Sequence, residues 1–176
     1  IHEITPPSDI SSFHPKVWIL RFQKSQEIRY RVIVLSRNLT FDRSWDLAFH
    51  IEGEVSKRTV QSNQPLLDFV KYLFTKKRIK GGSKLLSELT KVEFEDIDSF
   101  EDIRFYPIGI NNDKQKKYKN PLDKQMFDKL LIVSPFVDTK TLDKFHENCP
   151  SKKVLLSRQE DLQKISPQTF DGYDPY

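Results

Sequence analysis

Cysteine and methionine are almost absent from this chain of 176 residues, which contains one of each. Because a disulfide needs two thiols, Cys149 cannot form one within the chain, and no set of metal ligands accompanies it. This favours a reducing compartment, for which the cytoplasm is the default. We also expect no metal and no cofactor. The only methionine is Met126 and the first residue is Ile1, so we interpret the chain as a piece of a longer protein.

Long apolar runs and glycine-rich loops are also missing. A transmembrane helix needs about 20 consecutive apolar residues, and no segment approaches that length, so we expect no stable membrane insertion. Without a glycine loop that cradles phosphates, an ATPase would have to lie outside the chain. The hydrophobic content of 37% is typical of a globular protein. A net charge of +4 and a pI near 9.0 mildly favour a polyanionic partner.

The first part of the chain predicts a small meander of strands followed by a helix. The apolar run after His14 and the run 30–35 predict two strands, and alternation over 45–53 predicts a third. Apolar residues at helical spacing over 64–74 predict an amphipathic helix, which ends in the basic segment 76–84.

The later part of the chain predicts strands joined by a helix. Strand candidates cover 103–110, 129–136 and 153–157, and we expect the middle one to be fully buried. A helix over 139–146 separates the last two strands, which predicts parallel pairing through a crossover connection. The lysine-rich run 111–120 is expected to be a mobile loop.

A histidine and a lysine two residues apart stand where the first strand begins, in His14-Pro15-Lys16. Because alternate side chains of a strand share a face, both can reach one phosphoryl group. The partner strand ends at Ser36-Arg37-Asn38, which delivers Ser36 and Asn38 to the same place. The sequence therefore predicts a nucleophile, a cation and two neutral hydrogen-bonding groups around one phosphate.

This ordered set resembles one half of the active site of the phospholipase D superfamily. That half-site reads His-x-Lys, usually with an Asp five residues beyond the Lys, and then Gly/Ser-Ser-x-Asn. This chain has Arg21 in place of the Asp. Tyrosyl-DNA phosphodiesterases also lack the Asp, and their Ser-Asn-Leu followed by Asp-Trp resembles residues 36–39 with Trp45-Asp46 downstream. The resemblance favours the nucleic-acid-processing members over the lipases.

The resemblance implies an α/β fold, a phospholipase D-like mixed β-sheet flanked by helices, in a fragment that spans parts of two half-domains. We expect residues 1–64 to carry the half-site on strands and residues 65–102 to form a helical and charged connection. Residues 103–176 would then begin the second half-domain as a strand-helix-strand unit.

The resemblance also implies catalytic roles. His14 would be the nucleophile, and Lys16 and Asn38, with Ser36 in support, would hold the nonbridging oxygens of the phosphate. Asp46 would orient the histidine, and the competing interpretation is a solvated or turn-capping carboxylate.

Two arginines next to the motif are candidates for substrate binding. Arg37 and Arg43 would bind flanking phosphates, although arginines on loops are usually only solvated. The basic segment 76–84 could contact a nucleic-acid backbone or simply complete a soluble helix end.

The resemblance implies a metal-independent phosphodiesterase that forms a phosphohistidine. No second His-x-Lys follows in the chain, so the missing half-site would come from a longer parent chain or from a homodimer. This fragment alone should therefore bind phosphate but hardly turn over. We expect nucleic acid as the substrate, as for a nuclease or a DNA end-processing enzyme. A lipid phosphodiesterase or phosphatidyl transferase, and a non-catalytic binding module, remain as alternatives.

Overall fold

The structure, a computed structural model, describes residue 4 and residues 12–38, 46–76, 80–98, 100 and 102–175. The chain divides into two compact units, Ile1–Tyr118 and Lys119–Tyr176. Each unit combines a β-sheet with helices, so the expectation of a mixed α/β protein is confirmed.

The first unit contains a four-stranded antiparallel sheet whose strands follow one another in chain order. Its strands are β1 (Val17–Lys24), β2 (Glu27–Leu35), β3 (Ala48–Val55) and β4 (Val92–Phe94). Two helices, α1 (Gln64–Lys76) and α2 (Gly82–Leu89), come between β3 and β4 in the sequence. The predicted meander and the amphipathic helix are therefore confirmed.

One face of the antiparallel sheet is buried because its strands alternate apolar with polar residues. Val32 pairs with Ile51 in the β2–β3 register, and these two side chains are 1% and 2% exposed. They form one core with apolar side chains of α1, among them Leu66 and Val70. Burying each such side chain contributes about 1.5–3 kcal/mol, which is why the helix packs on this face.

The second unit contains a three-stranded parallel sheet in the order β5 (Lys129–Val133), β6 (Lys152–Leu156) and β7 (Tyr173–Pro175). Helix α3 (Thr139–Asn148) connects β5 to β6, and the short helix α4 (Gln159–Leu162) follows β6. The predicted strand-helix-strand unit with parallel pairing is confirmed.

An aspartate begins α3. The side chain of Asp138 accepts a hydrogen bond from the backbone N–H of Thr141 at 2.9 Å, as expected of an N-cap residue. This hydrogen bond to the charged carboxylate lowers the pKa of Asp138.

The prediction that the strand in 129–136 is fully buried is wrong. Leu131 and Val133 of β5 are 63% and 70% exposed, whereas Leu142 of α3 and Leu155 of β6 are completely buried. Among the residues that the structure describes, helix packing covers only one face of this sheet.

One further expectation about local structure fails. Residues 103–110 do not form a strand, because Pro107 lacks an N–H for a ladder and Gly109 turns the chain with φ at 85°. Ile103 and Phe105 pack instead on the core of the first unit. Within the lysine-rich run predicted to be a mobile loop, Asn111 and Lys117 form an antiparallel bridge.

The expected boundaries at 64/65 and 102/103 both lie within the first compact unit. Helices α1 and α2 and the segment up to Tyr118 belong to the same unit as β1 to β3. The reason is that these later segments cover the apolar face of the antiparallel sheet. Within the described residues, no helix is long and apolar enough to cross a membrane.

Candidate functional site

Three segments that carry predicted site residues meet at one end of the antiparallel sheet. The backbone N–H of Leu35 donates to the carbonyl of Lys16 at 2.9 Å, which extends the β1–β2 pairing past the start of β1. Leu35 in turn pairs with Ala48, the first residue of β3. The register therefore brings residues 14–16, 36–38 and 46–47 to the same edge.

His14 and Lys16 contact each other at this edge. His14 precedes β1 and is exposed, and the Nζ atom of Lys16 lies 2.7 Å from Nδ1 of the imidazole. The same ammonium also donates to the backbone carbonyl of His14 at 3.3 Å. The histidine and the cation of the motif thus lie within reach of one ligand.

Ser36 joins the end of β2 to the start of β3. Its backbone N–H donates to the carbonyl of Leu47 at 2.9 Å, and its Oγ accepts from the N–H of Leu47 at 2.9 Å. The Ser36 hydroxyl also donates to the Asp46 carboxylate at 3.3 Å. Ser36 therefore has a clear structural role in holding the two strand ends together.

Asp46 pairs with an arginine of the motif. Its Oδ1 atom lies 3.4 Å from Nε of Arg37, in addition to the hydrogen bond from Ser36. Among the described residues, the Asp46 carboxylate contacts Ser36 and Arg37 and does not contact His14. Ser36 and Arg37 therefore hold the Asp46 carboxylate beside the ends of β2 and β3.

Two predicted site residues remain, Asn38 and Arg43. Asn38 lies two residues beyond Ser36, at the end of the described segment 12–38. Arg43, like Trp45, lies outside the described residues.

Arg21, which stands where the family pattern has an aspartate, takes part in a buried network within the core of the first unit. Its guanidinium donates twice to Glu88 of α2, at 2.6 and 3.0 Å. The hydroxyl of Tyr30, a completely buried residue, donates to the same carboxylate at 2.6 Å. The hydrogen bond from Arg21 is the main reason why the pKa of Glu88 is lowered, with Tyr30 adding to it. Position 21 therefore connects the sheet to α2.

A cleft of about 570 Å³ opens beside His14. His14 forms part of its wall together with Val17 and Val34 from the sheet, Phe69 from α1, and Phe105 and Tyr106 from the segment after β4. The lining is mostly apolar and aromatic. The sequence did not reveal this cleft, because its wall comes from segments far apart in the chain, although Phe13 beside His14 was a hint of apolar surroundings.

The donor set at this edge does not point to a metal. No group of three or more His, Cys, Asp or Glu residues that could hold a metal ion occurs among the described residues. The arrangement can bind an anion through Lys16 and can offer an imidazole to it. No protein-family model, curated protein or solved structure matches the chain.

Proposed function

We propose that this chain contributes one half-site of a phosphodiesterase of the phospholipase D superfamily that acts on nucleic acid. The observation that carries the proposal is the contact between His14 and Lys16. It lies at the same edge of the sheet as the hydrogen bond between Ser36 and Asp46. A nucleophile next to a cation is the minimum that attack on a phosphodiester requires.

The proposed mechanism uses His14 as the nucleophile. An unprotonated imidazole nitrogen attacks phosphorus, an N–P bond forms, and the P–O bond to the leaving group breaks with its electron pair. Lys16 and Asn38 hold the nonbridging oxygens and stabilise the charge of the transition state. A histidine of the second half-site protonates the leaving oxygen and then activates water, which releases the phosphate from His14.

Nucleic acid is the preferred substrate because of the motif and the charge. The order Ser36-Arg37-Asn38-Leu39 with Trp45-Asp46 resembles the end-processing members of the superfamily, and the net charge of +4 favours a polyanion. Arg37 and Arg43 are the residues proposed to bind flanking phosphates. The second half-site would come from a longer parent chain or from a second copy.

An activated diester tests the first chemical step without the second half-site. Bis(p-nitrophenyl) phosphate releases nitrophenolate, which leaves without being protonated, so the missing acid is not needed. We expect the chain to release up to one equivalent of nitrophenolate, with or without EDTA, and to gain an acid-labile nitrophenyl phosphoryl group on His14. His14→Ala should abolish the release.

A matched control is His50→Ala, because His50 is another exposed histidine of the same unit. This variant should release nitrophenolate as the unmodified chain does. Release that persists in His14→Ala, or that requires a metal, would contradict the proposal.

The cleft beside His14 favours one alternative, a lipid phosphodiesterase. Its apolar lining could hold an acyl chain next to the phosphate site. Binding of a labelled oligonucleotide across a salt series distinguishes the two, because each phosphate contact of a nucleic-acid enzyme releases counterions and makes the affinity fall with salt. Binding to phospholipid vesicles but to no oligonucleotide at low salt would establish the lipid alternative.

A further inference from the structure

The cleft beside His14 has the composition of a site for a flat aromatic group. Its lining includes rings from separate segments of the first unit, namely Phe13, Phe49, Phe69, Phe105 and Tyr106. Nucleic-acid bases stack on such rings whatever their identity, because every base has a π-face. Because His14 itself lines the cleft, a group next to a phosphate held by His14 is within reach of it.

The cleft is also open to water along its rim. Val34, Tyr106 and Ile108, which all line it, are 40%, 42% and 59% exposed. A base keeps its polar edge in water while its faces are covered, so an open cleft suits it. An acyl chain gains most when it is fully enclosed, because its whole surface is apolar. The exposed rim of the cleft therefore favours a base as its ligand over an acyl chain.

Positive charge accompanies the apolar wall. The segment that supplies Ile108 and Ile110 to the cleft continues into the bridge between Asn111 and Lys117. Lys114, Lys116 and Lys117 are exposed on this turn, where the side chain of Asn112 accepts hydrogen bonds from the N–H groups of Lys114 and Lys116 at 2.9 Å each. Lysines on the turn that directly follows cleft-lining residues in the chain match a polyanion that carries bases.

We propose that this cleft is a base-binding subsite for single-stranded nucleic acid. One unpaired base stacks in the cleft while the adjoining phosphate contacts His14 and Lys16. The inference rests on the proposed function and adds its substrate class: a single strand, or a frayed or unpaired end, without strong preference for sequence. A paired duplex base could not enter without unstacking.

Binding measurements with the full chain test the subsite separately from catalysis. Fluorescence anisotropy would compare a labelled single-stranded oligonucleotide, the same sugar-phosphate strand without bases, and a duplex of equal length. We expect the intact strand to bind about 10-fold more tightly than the abasic strand, within the range for one stacked base. The duplex should bind no better than the abasic strand.

A pair of variants locates the effect. Tyr106→Ala should weaken binding of the intact strand about 10-fold and leave the abasic strand unchanged, because only the stacking partner is lost. Phe22→Ala is the matched control, since Phe22 is 47% exposed, compared with 42% for Tyr106, and does not line the cleft. It should change neither affinity. If Tyr106→Ala fails to fold, the comparison of strands on the unmodified chain still decides.

The outcomes separate the two proposals. Equal affinity for intact and abasic strands would overturn the subsite and leave the nucleic-acid function standing. Absence of binding to every oligonucleotide would overturn both, and binding of phosphatidylcholine vesicles that is lost in Tyr106→Ala would assign the cleft to an acyl chain.

Discussion

The Nζ atom of Lys16 lies 2.7 Å from Nδ1 of His14, so the cation and the proposed nucleophile of the motif contact each other directly. An ammonium group has no lone pair and can only donate, which means that Nδ1 accepts and the neutral imidazole carries its proton on Nε2. In this arrangement neither nitrogen is ready to attack. Under the proposed function, a bound phosphate would draw Lys16 away and free Nδ1, which would couple ligand binding to activation of the nucleophile.

The first prediction concerns this tautomer. In the unmodified chain, the ¹⁵N chemical shifts of His14 should show a proton mainly on Nε2, because Lys16 donates to Nδ1. Lys16→Ala should give a mixture of the two tautomers, and inorganic phosphate should shift the unmodified chain in the same direction. Identical imidazole spectra for the two proteins would show that the contact does not control the tautomer.

The second prediction is catalytic and applies to the complete enzyme with both half-sites. His14→Ala should abolish turnover, because no other group can replace the nucleophile. Lys16→Ala and Asn38→Ala should each lose about 3 kcal/mol or more of transition-state stabilisation, measured as a fall in kcat/KM. Turnover should not respond to EDTA. A Lys16→Ala enzyme with unchanged kcat/KM would remove Lys16 from the site.

The third prediction concerns the buried network of Tyr30 and Glu88. Tyr30→Phe should lower the free energy of unfolding by about 1.5–3 kcal/mol at pH 7, because it removes a hydrogen bond to a charged group. The pKa of Glu88 is lowered in the folded chain, so its stabilising contribution is present above its unfolded pKa and lost as the pH falls through its folded pKa.

Denaturant unfolding between pH 7 and pH 3 would measure this dependence. The loss of stability towards acid should be smaller in Glu88→Gln than in the unmodified chain, since the amide does not titrate. An equally steep loss in Glu88→Gln would assign the acid sensitivity to other carboxylates.

The fourth prediction concerns a close approach in the antiparallel sheet. A Cβ atom at Gly53 would lie 2.3 Å from the backbone oxygen of Glu93 on β4, so one of the two strands would have to shift. Gly53→Ala should therefore destabilise the first unit by about 1–3 kcal/mol, measured by thermal or denaturant unfolding. Glu54→Ala, at the exposed neighbouring position, should cost less than about 1 kcal/mol.

The fifth prediction concerns a buried lysine of the second unit. Lys153 is 1% exposed, and its Nζ atom donates to the carbonyls of Cys149 and Ser151 at 2.8 and 3.3 Å, just beyond the C-terminus of α3. Lys153→Met should cost about 1–3 kcal/mol because buried carbonyls lose their donor. Faster hydrogen exchange across α3 and β6 would show this, and Lys152→Met at the exposed neighbouring position should leave exchange unchanged.

Local patterns were sufficient for most of the regular elements. Alternation of apolar and polar residues predicted β2 and β3, and apolar residues at helical spacing predicted α1. The helix between the apolar strands β5 and β6 predicted their parallel pairing. Helix α2 was missed, because it begins at Gly82 and follows Gly81, and glycines in sequence indicate the end of a helix.

What depends on tertiary packing could not be read from one segment at a time. The segment 103–110 has the apolar content of a strand, but Pro107 and the turn at Gly109 leave it without ladder partners, so Ile103 and Phe105 pack against the core instead. The exposure of Leu131 could not be predicted either, because the sequence of an apolar strand does not show whether one or both faces of its sheet are covered.

The order of His14, Lys16, Ser36 and Asn38 along the chain was by itself enough to predict that the segments carrying them would meet at one end of the sheet, because an antiparallel hairpin returns the chain to where it started. The tertiary structure alone decided what surrounds that edge. Arg21 and Glu88, 67 positions apart, meet only because α2 packs on the sheet. The cleft beside His14 likewise exists only where α1 and the segment after β4 converge on the strands, and no local pattern records such distant neighbours.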